Sequence, residues 1–248
     1  MSENKVYGFI TVRTSSTRLP NKCLLPLGNN SVIEHVIKRC LSYGVEPIVC
    51  TTSDPSDDII KQISNKLNVK CFRGSKINKL KRWADCANYY NIEYFHTVDA
   101  DDPFFDGDEM KISINKLKEG NYDIVSPTIS SSNGGASVGY SLKSKIVSEA
   151  VKNTNDLTDT EMIESFLNDI DNLKIHNLQE SVIRPPKVRL TLDYEEDYLL
   201  LKVIVQILGE NISRNKIDCL FVDNPDLSKI NWFRNQEWKE KQNSKINK

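Results

Sequence analysis

The chain has no excess charge of either sign: thirty-three lysines and arginines stand against thirty-four aspartates and glutamates, for a formal net charge of -1. No long-range field therefore draws it to nucleic acid or to an anionic membrane, and neither is expected as a partner. Long apolar runs are also missing. Stretches such as Val6 to Val12 and Leu199 to Leu208 fall far short of the roughly 20 residues that span a bilayer. The opening MSENK leads straight into a strand-like run without a small-residue cleavage pattern, so a cytoplasmic address is expected. Paired cysteines are absent: Cys23, Cys40, Cys50, Cys71, Cys86 and Cys219 lie singly in apolar surroundings and read as reduced, mostly buried thiols. His35, His96 and His176 have no second histidine or cysteine at ligand spacing, which leaves none of them a metal role. Two nucleotide-binding signatures are lacking as well. No GxGxxG follows the first strand and no GxxxxGK precedes a serine or threonine, which argues against a dinucleotide-binding dehydrogenase and a P-loop NTPase.

What is present is a repeated strand, loop and helix. With 248 residues, 39% of them hydrophobic and 27% charged, the chain suits one globular domain over residues 1–248. VYGFITV (6–12) is a β-branched apolar run followed by the polar loop RTSSTRLPNK. Ser31 with Glu34 forms a capping box ahead of a helix whose apolar face is Ile33, Val36, Ile37, Cys40 and Leu41. After strand PIVCTT, Asp54 and Pro55 predict an N-cap and first helical position, with Ile59, Ile60, Ile63 and Leu67 as the buried stripe. Strand VKCF, a helix over 80–90, strand YFHTV, the acidic loop DADDP, a helix over 107–117 and strand YDIV continue the alternation. That alternation predicts a mostly parallel sheet covered on both faces, an α/β three-layer sandwich.

Beyond Val125 the rhythm breaks. SPTISSSNGGAS predicts a mobile loop, SVGYSL a strand, Thr158 with Glu161 a second capping box, and LKIHNL and KVRLTL two further strands. An amphipathic helix over 195–208 then leads into a helix-prone tail over about 209–248.

In an open parallel sheet ligands bind beyond the carboxyl ends of the strands, where loops here begin at Arg13, Thr52, Arg73 and Asp99. RTSSTRLPNK offers Arg13, Arg18 and Lys22 with the hydroxyls of Ser15, Ser16 and Thr17, the cations and donors a triphosphate needs. An ordinary solvated loop has the same composition. VDADDP sets Asp99, Asp101 and Asp102 at a strand end, hard oxygen donors of the kind magnesium takes beside substrate phosphates. The same acids also fit a helix N-cap cluster, with Asp102 or Asp106 opening the next helix. Asp193, just past the strand-like RLTL, repeats both alternatives.

The run from Ile10 to Leu27, IxxRxxSTRLPxKxLxPL, resembles the opening signature of the cytidylyltransferases that make CMP-activated sugar acids, the spore-coat polysaccharide type above all. Related groups are the CMP-keto-deoxyoctulosonate synthetases and, more distantly, the acylneuraminate cytidylyltransferases. The resemblance continues through IEHVIKR (Ile33 to Arg39), TSD (Thr52 to Asp54), FRGS (Phe72 to Ser75), ADDP, LTLDYEED (Leu190 to Asp197) and DNPDLSKIN (Asp223 to Asn231). It implies a Rossmann-like nucleotidyltransferase sheet and transfer of CMP from CTP to a small anionic acceptor with Mg2+. It assigns nucleotide binding to Arg13, Ser15, Ser16, Arg18 and Lys22, and metal binding to Asp101 and Asp193. By the same resemblance Arg13, Lys22 and Asp101 carry the reaction, and Arg73 and Ser75 approach nucleotide and acceptor. It also implies a homodimer formed through a small antiparallel excursion over about 137–185.

Three departures fall toward the acceptor or dimer side. KINKLKRW places Lys76, Lys79, Lys81 and Arg82 where the resemblance expects an acidic, leucine-containing stretch. Gly139 stands in place of a glutamate, and Met162 in place of a histidine after Glu161. Exchanging acids for cations points toward a phosphate- or phosphonate-bearing acceptor as an alternative to a sugar acid, with Lys79 and Arg82 on one side of their helix and Lys81 elsewhere. Two rival functions remain at this stage. One is a nucleotide-sugar glycosyltransferase using Asp99-Ala100-Asp101, against which the STRLPNK loop argues; the other is a non-catalytic regulatory α/β domain.

Overall fold

In β1 (Tyr7–Thr11) neighbouring residues enter different cores: Phe9 joins one apolar cluster and Ile10 another. Period-two alternation does this in a strand covered on both faces. The computed structural model describes residues 5–246, and side chains over 5–241; Met1 to Asn4 and the last two residues of the expected tail lie outside the described residues. After β1 come the hairpin strands β2 (Pro26–Leu27) and β3 (Asn30–Ser31), α1 (Val32–Ser42), β4 (Glu46–Thr52), α2 (Asp58–Lys66), β5 (Lys70–Gly74), α3 (Lys79–Tyr90), β6 (Tyr94–Asp99) and α4 (Gly107–Glu119). β7 (Ile124–Ser126), α5 (Ile129–Ser132), β8 (Ser141–Lys143), α6 (Ser144–Val151), α7 (Ile163–Leu167), β9 (Ile175–Asn177), α8 (Glu195–Leu208), α9 (Arg214–Asp223) and α10 (Arg234–Ile246) complete the order. No described helix is long and apolar enough to cross a membrane.

The main sheet has seven strands in the order β5-β4-β1-β6-β8-β7-β9. All neighbours are parallel except β8, which runs antiparallel to both β6 and β7. The chain crosses from β6 over α4 and passes one strand position; the return through residues 127–140 has only the four-residue α5 and extended loop, and fills that position in the opposite direction. Leu80 and Trp83 of α3, Val147 of α6 and Ile163 of α7 cover one face. Ile33 and Val36 of α1, Ile60 of α2 and Met110 of α4 cover the other, which makes the three-layer sandwich. A third apolar cluster packs Leu190, Leu192, Leu200 and Ile204 against Leu27, Val32 and Phe104, and so ties the C-terminal third to the hairpin.

The expected capping box at Ser31 and Glu34 is present, and Asp54 accepts from the Ser56 N-H ahead of Pro55. Several expectations change. KVRLTL forms no ladder: Leu190 and Thr191 donate to Gly134 O, and Leu192 to Asp101 O, so the segment bridges two loops. Thr158 does not open a helix, because its hydroxyl accepts from Asn155 N; α7 begins at Ile163. Ile59 faces solvent at 39% exposure instead of joining the α2 stripe, and Leu41 is 50% exposed at the end of the α1 face.

His96, fully buried in β6, fixes β8 to the sheet. Its Nε2-H donates to Val138 O at 2.5 Å and its Nδ1 accepts from Ser141 Oγ at 2.9 Å, a pattern that suits the neutral ring. Burial pushes its pKa down from 6.5 to about 4. Below the unfolded value the unfolded chain binds a proton that the native ring does not, so His96 costs stability as pH falls from about 6.5 toward 4. Relative to His96→Gln, the wild type therefore loses up to about 3 kcal/mol across that window. Urea midpoints at stepped pH values measure this, and a pH-independent difference between the two proteins would refute it.

Candidate active site

The loop after β1 is shaped by a residue that the sequence reading passed over. Asp57, 1% exposed, accepts from both the backbone N-H and the hydroxyl of Thr14 at 2.8 Å, and from the Thr52 hydroxyl at 2.5 Å. These bonds fasten the β1 and β4 loops together, and Asn21 takes a left-handed φ of 54° before a 3-10 turn that carries Lys22. A buried aspartate three residues past an N-cap has no distinctive spacing, so only the fold reveals its role.

The two expected metal aspartates are freed from capping by their neighbours. Asp106 accepts from Asp108 N and Glu109 N and so caps α4. Asp197 accepts from Asp193 N and Tyr194 N at 2.9 and 3.0 Å and caps α8 from within. Asp197 is itself held by buried Arg189 at 2.8 and 3.0 Å and by Asn231 at 2.9 Å. The Leu192 N-H donates to Asp101 O at 2.7 Å and draws the two acidic segments together.

Asp101 and Asp193 then converge on one point. The Lys22 Nζ lies 2.6 Å from Asp101 Oδ2, 2.9 Å from Asp193 Oδ1 and 2.8 Å from Leu192 O, and Arg18 Nη2 donates to Asp193 Oδ1 at 2.6 Å. Burial works against the Lys22 charge, but the two carboxylates overcome it and raise its pKa. Burial likewise opposes ionisation of Asp193, and Lys22 and Arg18 outweigh it to hold the carboxyl below its ordinary value. Asp102 differs. Burial and the adjacent Asp101 push it well above the carboxylate range, and Thr191 Oγ1 lies 2.6 Å from its Oδ1. Among the described residues no three His, Cys, Asp or Glu side chains gather as a metal cage. Two carboxylates already converging on a cation do fit a divalent ion that completes its shell with waters and substrate phosphates.

These groups line a cleft of about 840 Å3 at the carboxyl ends of β1 and β6, together with Arg13, Ser15 and Ser16. Arg73 and Ser75 do not reach it. The Arg73 guanidinium donates to Thr52 O, Asp54 O and Asp58, and the Ser75 hydroxyl accepts from Asn78 N, so both brace the β5–α3 connection. Of the added cations, Lys79 pairs with Asp99 at 3.1 Å above the Trp83 ring, and Arg82 is only 3% exposed; both line the cleft. Lys76 also lines it while pairing with Asp54, whereas Lys81 turns away to Asp85, as the helical spacing requires. Gly139 has φ of 85°, and a Cβ there would collide with the Thr97 carbonyl, so this backbone has no room for a glutamate.

A family description for cytidylyltransferases matches residues 8–213. The chain belongs to the cytidylyltransferase family. It is 29% identical over 240 residues to an uncharacterised protein of Methanocaldococcus jannaschii, covering 92% of this chain and 94% of that one. It is 25% identical over 247 residues to the spore coat polysaccharide biosynthesis protein SpsF of Bacillus subtilis, covering 91% and 97%. Among solved structures, a cytidylyltransferase from Leptospira borgpetersenii superposes with a TM-score of 0.79 at 23% identity, over 90% of this chain and 96% of that one. The nucleotidyltransferase fold and enzyme class expected from the sequence are therefore borne out.

Proposed function

We propose that the protein transfers CMP from CTP to a small anionic acceptor and releases pyrophosphate, with Mg2+ held between Asp101 and Asp193. The observation that carries this reading is the convergence of those carboxylates on a single cation position, 2.6 and 2.9 Å away, beside the hydroxyl- and cation-rich loop of Arg13 to Lys22. Arg13, Arg18 and Lys22, with Ser15 and Ser16, meet the triphosphate oxygens. A divalent ion held by Asp101 and Asp193 would neutralise charge on the α-phosphate. An acceptor oxygen attacks the α-phosphorus in line, the bond to the β-phosphate oxygen breaks, and the acceptor proton passes to solvent. Positioning and charge neutralisation supply the acceleration without a covalent enzyme intermediate.

Asp99 meets Lys79 at 3.1 Å while Asp101 meets Lys22 at 2.6 Å, so these two carboxylates are directed to different cations and do not converge on one point as a glycosyltransferase metal pair would. The similarity to SpsF favours acceptors destined for surface glycans. A homodimer through the excursion over about 137–185 fits the exposure of Leu157 at 79% and Ile183 at 103%. The test is pyrophosphate release with each nucleoside triphosphate against sugar acids, phosphosugars and phosphonates. Release with CTP and Mg2+ alone among the triphosphates is expected; failure of Mg-CTP to bind in calorimetry would favour a regulatory domain.

A further inference from the structure

The acceptor end of the cleft is lined by charges of both signs. On the α3 side Arg82 is buried; its Nη1 donates to Ser75 O at 2.6 Å, and its Nε has no partner among the described residues. A buried guanidinium with unmet donors favours an anion at its open edge. The facing wall is acidic, formed by Asp159, Glu161 and Glu164 with uncharged Met162 and Ile163 between them. The Glu164 carboxylate is exposed to solvent, accepts the Tyr140 hydroxyl at 2.6 Å and forms no ion pair among the described residues. The acids Asp54, Asp85 and Asp99 nearby do each pair with a lysine.

The two walls are fixed against each other. Thr160 Oγ1 accepts from Leu80 N at 3.0 Å and donates to Asn78 Oδ1 at 3.1 Å, and Asn78 Nδ2 donates to Thr154 Oγ1 and Asn155 O at 2.8 Å each. The acidic loop thus hangs from the first turn of the helix that carries Lys79 and Arg82. A purely anionic acceptor that displaced water from Glu164 would meet repulsion there, and a purely cationic one would meet it from Arg82.

We propose that the acceptor is a zwitterion: its anionic group sits against Arg82 and Lys79, and a protonated amino group is received by Glu164 on the opposite wall. This rests on the cytidylyl-transfer reading and names its substrate class. A hydroxyl in place of the amine would satisfy a hydrogen bond but leave the carboxylate charge unmet.

The experiment is calorimetry on the protein saturated with Mg2+ and α,β-methylene-CTP, which binds without transferring CMP. The probes are matched pairs: 2-aminoethylphosphonate against 2-hydroxyethylphosphonate, and an amino sugar acid against its hydroxy counterpart. We expect the amino member of at least one pair to bind at least about tenfold tighter, the size of one charge-assisted contact. Glu164→Gln should bring that ratio close to one, and Glu164→Asp should restore part of it. A general structural fault would weaken both members together and leave the ratio unchanged. Equal binding within both pairs, no binding by any probe, or a preference that survives Glu164→Gln overturns the proposal. If the CTP analogue itself does not bind, the underlying transfer reading falls instead.

Discussion

Replacing Asp101 or Asp193 by asparagine lowers turnover at least ~100-fold, about 2.7 kcal/mol in the barrier, while the protein stays folded. Each carboxylate contributes one formal charge to the point where the two converge, and an amide keeps the shape but removes that charge. The fold survives because neither side chain caps a helix: Asp106 caps α4 and Asp197 caps the start of α8. Asp193 is the more demanding site. It is almost fully buried and faces both Lys22 and Arg18, so its amide also leaves two cations undercompensated. Single-turnover assays on variants with unchanged circular dichroism measure the effect. Turnover near the wild-type value in either variant would remove that residue from the metal site.

Lys22→Ala has the second large effect, and the structure gives it two parts of opposite sign. With nucleotide present, loss of the cation removes a contact to the triphosphate in both ground and transition states, and kcat/KM falls at least ~30-fold. Without nucleotide, the same variant binds free Mn2+ more tightly than wild type, because Nζ no longer occupies the position between Asp101 and Asp193, 2.6 and 2.9 Å away. Mn2+ titration followed by electron paramagnetic resonance separates the two parts. Unchanged Mn2+ affinity with unchanged kcat/KM would make Lys22 an ordinary loop residue.

Much of the sheet was legible from the sequence because buried parallel strands are short apolar runs between amphipathic helices, and each local signal agreed with the next. The capping box at Ser31 and the Asp54-Pro55 start are decided within one helical turn, and both survive folding. Thr158 with Glu161 matched the same pattern but failed, since Thr158 bonds locally to Asn155 while Thr160 is taken by Asn78 and α3. KVRLTL has strand composition, yet the N-H groups of Leu190, Thr191 and Leu192 go to Gly134 and Asp101 in two loops. Whether a β-branched run pairs depends on what lies beside it, which composition does not record.

By itself the sequence determined the alternating α/β architecture, the family, and the loop and acids that line the cleft: Arg13, Ser15, Ser16, Arg18, Lys22, Asp101 and Asp193. The architecture and the polar loop follow from local patterns of apolar period, charge and hydroxyls, whereas the family and the choice of Asp101 and Asp193 came from the resemblance carried by the Ile10 to Leu27, ADDP and LTLDYEED motifs. Only the tertiary structure decided which aspartates are free and which are caps, because the answer lies with Asp106 and Asp197 and their backbone partners. It also turned Arg73 and Ser75 away from the cleft and made Asp57 the clasp of the opening loop. It set Glu164 and Tyr140 across from Arg82 as well. Each of those outcomes joins residues distant in sequence, and hydrogen-bond geometry and burial select their partners only once the layers are packed.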